Sequence, residues 1–267
     1  MILNNYVHGT FGCPALCSGD AAESKAFYSG LLGWQPAEMD PPHANAAMFK
    51  IGDEVVAGMY QMADERKKAG VVPHWNNYII VDDIAEVVRK APILGGKVLA
   101  QPFDAMGDLM ANLEDPYGAK FSVWQSRTKP TPSRVMEVGA LCWTELYTTD
   151  MAGAEKFYTE LLGWRTGKFE ASPMPYTMIT PAALQQPIGG ILKITEEMGG
   201  RKPQWMPYFQ ITDADKSAAQ AKSLGAQVHG PIEIPTIGRM LMIMDPQTAG
   251  FAVIQLNCGG TPEQPKS

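Results

Sequence analysis

Apolar residues recur at helical spacing at Phe27, Leu31 and Leu32, and again 130 residues later at Phe157, Leu161 and Leu162. Such a stripe predicts an amphipathic helix at each place. Asp20 and Asp150 stand just before the stripes as N-caps, with Glu23 placed to close a capping box in the first. Gly33 and Gly163 follow as left-handed C-caps. Short β-like runs around Leu16 and Leu146 precede the caps. After the first helix, Ala46 to Ile51, a Gly-Asp turn and Val55 to Met62 predict a hairpin. A strand over 77–81 and a helix from about Asp83 to Leu94, ended by Gly95 and Gly96, come next, with further strands up to Trp124.

The recurrence is a whole-domain repeat. DAAESKAFYSGLLGW returns as DMAGAEKFYTELLGW, PHWNNYIIVDD as PQWMPYFQITD, and DPYGAKFSVWQ as DPQTAGFAVIQ, in one order and at one offset of 130 residues. Three blocks at a single offset identify a duplicated domain. The expected division is residues 1–126, a linker at 127–136 with prolines and polar residues, residues 137–257, and a polar tail at 258–267.

Each half reads as two βαβββ units. With the DxxxxxxFYxxLLGW helix and the DPxG closing strand, the chain resembles the glyoxalase/bleomycin-resistance/dioxygenase superfamily, also called vicinal oxygen chelate proteins. The W-x-x-Y strand and GALCWTELYTTD narrow the resemblance to its tandem, two-domain glyoxalase-like and hydroxylase-like members. The resemblance implies an α+β fold of four βαβββ units forming two tandem glyoxalase-like domains. It does not choose an activity, because the fold hosts isomerases, lyases, dioxygenases, thiol transferases and binding proteins.

Composition removes other classes. The 267 residues, 45% hydrophobic and 19% charged, can build two packed domains. A net charge of −6 without a Lys/Arg cluster argues against nucleic acid. Met1 to Leu16 lacks a signal-like pattern and no apolar run could span a bilayer, so a cytoplasmic protein with no membrane partner is expected. Cys13, Cys17, Cys142 and Cys258 are too few for a disulfide scaffold and read as inert thiols. Lys67, Lys68 and Arg66 read as a solvated loop patch. A homodimer stays open.

The resemblance implies a divalent-metal site in the cup of each curved sheet, with His, Gln or Glu ligands. The matching positions hold Cys13 and Trp143, Asn76 and Met206, and Ser122 and Ala252, none of which suits a hard or borderline divalent ion. His8, His43, His74 and His229 are scattered. No metal and no other cofactor is expected.

Strand alternation sorts the remaining candidates. Leu16, Leu146, Ile79, Val81, Phe209 and Ile211 face the helices, so their neighbours face the cups. The first cup is expected to present Cys13, Ala15, Cys17, Asn76, Tyr78, Ser122 and Trp124. The second is expected to present Trp143, Glu145, Tyr147, Met206, Tyr208, Gln210 and Ile254, and Met48, Met59 and Met178, in hairpins beside the two cups, are expected to make their walls adaptable. One of the two cups is expected to be filled as closed core.

Glu145 is the sharpest candidate for acid/base chemistry, with Tyr208 and its counterpart Tyr78 as partners. Burial would raise its pKa unless a cation or donors compensate. A purely structural Glu145, or tyrosines tied to the backbone, is the competing account. The expected function is metal-independent binding, and transformation by lyase, isomerase or hydroxylase-like chemistry, of a small apolar or aromatic metabolite. The alternatives are a drug-sequestering binding protein and, lower, a metal-dependent lyase or dioxygenase with ligands from other positions.

Overall fold

The computed structural model describes residues 2–3, 7–39, 46–127, 133–170, 172 and 174–257. His43, Cys258, the tail and residues 128–132 of the linker lie outside them. The first half runs strand Ala15–Ser18, helix α1 (Ala21–Leu32), strands Gln35–Glu38, Ala46–Ile51 and Glu54–Gln61, and short helix α2 (Asp64–Lys68). It continues with strands His74–Asn76 and Tyr78–Ile80, helix α3 (Ile84–Ile93), and strands Lys97–Ala105, Asp108–Glu114 and Lys120–Gln125. The second half repeats this with strand Leu141–Thr148, helix α4 (Met151–Leu162), and strands Arg165–Lys168, Tyr176–Thr180 and Gly189–Lys193. Strand Gln204–Ile211, helix α5 (Ala214–Ser223), and strands Gln227–Ile234, Gly238–Met244 and Gly250–Leu256 complete it. These are four βαβββ units in two tandem domains, an α+β architecture.

In the second domain the two units join through the antiparallel pair Leu141–Thr148 and Gln204–Ile211, making one eight-stranded sheet. The strand expected over 77–81 is present as Tyr78–Ile80, but a break at Asn77 separates it from His74–Asn76, where the second domain has one continuous strand. Asn77 leaves the ladder to donate its amide to the Trp205 carbonyl (3.1 Å), and the strands divide between a seven-stranded and a four-stranded sheet. Ser133–Arg134, within the expected linker, adds to the first domain's sheet beside Val55. The patch Arg66, Lys67 and Lys68 lies in α2 rather than a loop, because Asp64 and Glu65 start a helical turn there.

The caps explain where the helices begin and end. Asp20 accepts from the amides of Ala22 (2.9 Å) and Glu23 (3.1 Å). The expected capping box is replaced by a contact between domains: the Asp20 amide donates to Gln247 Oε1 (2.8 Å). Gly33 (φ 70°) and Gly163 (φ 68°) end α1 and α4 in the left-handed region that a side chain would strain.

The helices lie where the two domains meet, and one continuous core embraces both. Trp75 Nε1 donates to the Tyr28 hydroxyl (3.1 Å), which donates to Asp245 Oδ2 of the other domain (2.9 Å). In mirror fashion Trp205 donates to Tyr158 (2.8 Å) and Tyr158 to Asp115 Oδ2 (3.1 Å). Each aspartate's other oxygen accepts two amides of its own turn, from Tyr117 and Ala119 or from Gln247 and Ala249. Burial pushes the pKa of both aspartates above the ordinary range, and of both tyrosines well above. Stacked Trp34 on Tyr28 and Trp164 on Tyr158 close the rest of this core. Among the described residues, no helix is long and apolar enough to cross a membrane.

Candidate functional site

Because side chains alternate along a strand, Leu146 and Phe209 enter the helix-side core while Tyr147 and Tyr208 enter a second apolar cluster on the opposite face. On that face the second domain encloses a cavity of about 900 Å³. Trp143, Glu145 and Tyr147 reach it at alternate positions of one strand. Met206 and Tyr208 reach it from the next, with Trp143 paired opposite Tyr208 and Glu145 opposite Met206.

Glu145 is buried, 6% exposed, and its neighbours are phenols. The Tyr208 hydroxyl donates to Glu145 Oε2 (2.5 Å) and shares a hydrogen bond with the Tyr147 hydroxyl (3.2 Å). The hydroxyls of Tyr147 and Tyr176 also lie near enough to interact electrostatically with this carboxylate, and Trp143 Nε1 donates to the Tyr176 hydroxyl (2.8 Å). Burial first, and the Glu145 charge second, push Tyr147, Tyr176 and Tyr208 far above the usual phenol range. All three therefore keep their protons at neutral pH and act as donors. Tyr208 cannot serve as a general base there.

Gly190 stands opposite Glu145 in the neighbouring strand, and a Cβ there would collide with the Tyr176 ring and hydroxyl. That glycine lets Tyr176 close over the carboxylate. Tyr176 was missed from sequence although it sits two residues before Met178 on the same strand face, a signal the same alternation carries. Arg201, whose guanidinium lies 4.4 Å from the Tyr147 ring centroid, was missed because it lies in a connection without periodicity. Met240 and Met242 add thioether walls. Ile254 lines the cavity as expected from alternation, whereas Gln210 does not: its strand has run past the rim, and the residue borders a shallow crevice with Leu31, Leu32 and Gly139.

The first cup has the same backbone plan and different chemistry. Ala15 faces Gly58 as Glu145 faces Gly190, so alanine holds the carboxylate's place. The polar groups of the other expected residues are taken up by neighbours outside that set. Asn76 Nδ2 donates to the Tyr60 hydroxyl (2.9 Å), Ser122 Oγ to Asn112 Oδ1 (2.8 Å), and Trp124 Nε1 to Asp108 Oδ2 (2.9 Å). Tyr78 packs edge-on to Trp124 (6.4 Å), and its hydroxyl has no hydrogen-bond partner among the described residues. Cys13 contacts the Val55 carbonyl (3.9 Å), and burial pushes its thiol up to about 11. Cys142 is pushed to about 12 by the same cause.

The superfamily's metal site does not fit these donors. The ligand positions hold a thiol, two amide or hydroxyl groups, an indole, a thioether and a methyl, at Cys13, Asn76, Ser122, Trp143, Met206 and Ala252. Mg2+, Mn2+ and Fe2+ favour carboxylate and imidazole, with at least two or three such groups, and none is present at these positions. Among the described residues no three His, Cys, Asp or Glu side chains come together to hold an ion. His229 borders the second cavity from its outer strand, apart from Glu145.

Paired βαβββ units around an inward-facing cup define the class, and the chain belongs to the Glyoxalase/Bleomycin resistance protein/Dioxygenase superfamily, which matches residues 10–123. It is 33% identical over 258 residues to "Putative glyoxylase CFP32" of Mycobacterium tuberculosis (strain CDC 1551 / Oshkosh), covering 94% of this chain and 97% of that one. It is 30% identical over 268 residues to the anthracycline biosynthesis protein DnrV of Streptomyces peucetius, covering 93% and 94%. Among solved structures, the Mn(II)-bound glyoxalase from Novosphingobium aromaticivorans shares the fold with a TM-score of 0.64 at 16% identity, covering 94% of this chain and 83% of that one. The 2,3-dioxygenase LapB from Pseudomonas sp. KL28 shares it at 0.63 and 13%, covering 94% and 93%.

Proposed function

We propose that the chain takes a small apolar or aromatic metabolite into the second-domain cup and moves a proton on it without a metal. The observation that carries this reading is Glu145, a buried carboxylate held by phenol donors on the floor of a cavity of about 900 Å³. Aromatic and thioether walls suit a flat, weakly polar body. The likeness to a protein named for anthracycline biosynthesis makes a polycyclic aromatic ketone the ligand class of choice.

In the step envisaged, Glu145 takes a proton from a C–H beside a ligand carbonyl, and the C–H electron pair moves onto the carbonyl oxygen. Once neutral, Glu145 no longer holds the Tyr208 hydroxyl, which turns to donate to the new enolate oxygen. Returning the proton to another carbon gives an isomerase, and expelling a group from the β-carbon gives a lyase. A binder without chemistry is the second reading, favoured by the same phenols already occupying the carboxylate.

Native mass spectrometry with elemental analysis of one purified sample comes first. A co-purified organic mass without stoichiometric metal supports the cup reading. A stoichiometric divalent ion places metal-assisted chemistry ahead of it. Deuterium uptake by 2-tetralone in D2O then separates enzyme from binder. The wild type is expected to accelerate exchange and Glu145→Gln to bind without doing so, whereas equal rates leave only a binder.

A further inference from the structure

Arg201 is the one Lys or Arg among the described residues lining the second cavity. Its Nη1 is closed to solvent and has no hydrogen-bond partner among the described residues. Nη2 meets only the Met242 sulfur (3.2 Å), a weak acceptor, and the guanidinium is steadied by the face of Tyr147. The cavity's carboxylates do not neutralise it. Glu145 is engaged by phenols, Glu233 by Arg239 (2.8 Å), and Glu197 by Thr195. A half-buried guanidinium whose solvent-closed Nη1 has an empty bonding direction is what a site for an acidic oxygen requires.

We propose that Arg201 anchors an anionic oxygen of the ligand, so that the cup selects an aromatic acid over its uncharged counterpart. This rests on the cup reading above and adds the polar end of the ligand to it. Tyr147 links the two poles: Arg201 lies over its ring, and its hydroxyl joins the Tyr208 and Glu145 cluster. The cation and the carboxylate are thus separated by roughly the span of one phenol ring. An acid seated on Arg201 turns its neighbouring ring carbons toward Glu145, which gives the ligand a single orientation.

The test is calorimetric titration at pH 7 with 2-naphthoate and its methyl ester. The wild type is expected to bind the acid roughly tenfold more tightly than the ester. Arg201→Met should abolish that preference while holding the ester to within about threefold, and Arg201→Lys should restore part of it. Equal binding of acid and ester by the wild type, or a preference that survives in Arg201→Met, overturns the anchor and leaves the cup standing. Failure of both probes to bind the wild type overturns the cup, and the anchor with it. Should Arg201→Met not fold, the wild-type ratio and Arg201→Lys decide.

Discussion

The two cups share a backbone and differ in what they hold, whereas the backs of the two domains remain alike. Cross-strand partners place Ala15, Cys17, Ala46 and Tyr78 where the second cup has Glu145, Tyr147, Tyr176 and Tyr208. At these four positions, the first cup keeps one phenol and no carboxylate. Behind the sheets, Trp75, Tyr28 and Asp245 are matched member for member by Trp205, Tyr158 and Asp115. Duplication has thus left the shared packing doubled and the buried carboxylate with its phenols on one side.

The sharpest way to break that comparison is to cut both interdomain aspartates. Asp245→Ala and Asp115→Ala each strand a buried tyrosine hydroxyl and two turn amides, at a cost of roughly 3–5 kcal/mol. Urea unfolding should show near-equal losses for the two variants. A difference of more than about 1 kcal/mol would mean that the backs have diverged as well.

The tyrosines at equivalent positions should behave unequally. Tyr208→Phe removes the 2.5 Å donor to buried Glu145 and is expected to cost roughly 1–3 kcal/mol. Tyr78→Phe removes a hydroxyl without a hydrogen-bond partner among the described residues and should stay within about 0.5 kcal/mol. Similar costs for both would remove the energetic asymmetry of the cups. Gly190→Ala and Gly58→Ala sharpen the same contrast. The new methyl at Gly190 displaces Tyr176 from the carboxylate, whereas at Gly58 its nearest contact is the Ala15 Cβ at 3.3 Å. Overpacking of about 1–3 kcal/mol is expected at Gly190, and less at Gly58, by the same unfolding measurement.

These contrasts also mark what sequence could and could not carry. The repeat made the duplicated βαβββ plan legible because Phe27, Tyr28, Trp75 and Asp115 recur at a fixed offset. Their contacts explain the recurrence: they build the interface between domains, so the most visible motifs are not the site. Alternation brought Glu145, Tyr147 and Tyr208 onto one face, since a strand's period of two is independent of context. It carried Gln210 too far, because alternation does not say where a cup ends. It was silent on Arg201, which reaches the cavity from an aperiodic connection. The break at Asn77 was equally hidden, being caused by a partner 128 residues away.

The smallest expected effect concerns the similar backs. Burial raises the pKa of Asp115 and Asp245 in the folded protein above the unfolded value near 3.9. Across that window the folded state binds more protons than the unfolded chain, so their contribution to stability falls as pH rises through it. Exposed Asp213 and Asp215 have lowered pKa values and act in the opposite direction, so the raw pH profile mixes both signs. The difference between wild type and the Asp115→Asn, Asp245→Asn double variant cancels the shared part. Each asparagine keeps one oxygen for the two turn amides and turns its amide to the tyrosine hydroxyl, which can accept. The variant should therefore gain relative to wild type in urea midpoint as pH goes from 4 to 7. A flat difference, or one that favours the wild type as pH rises, would show that the tyrosine and amide donors outweigh burial at these carboxylates.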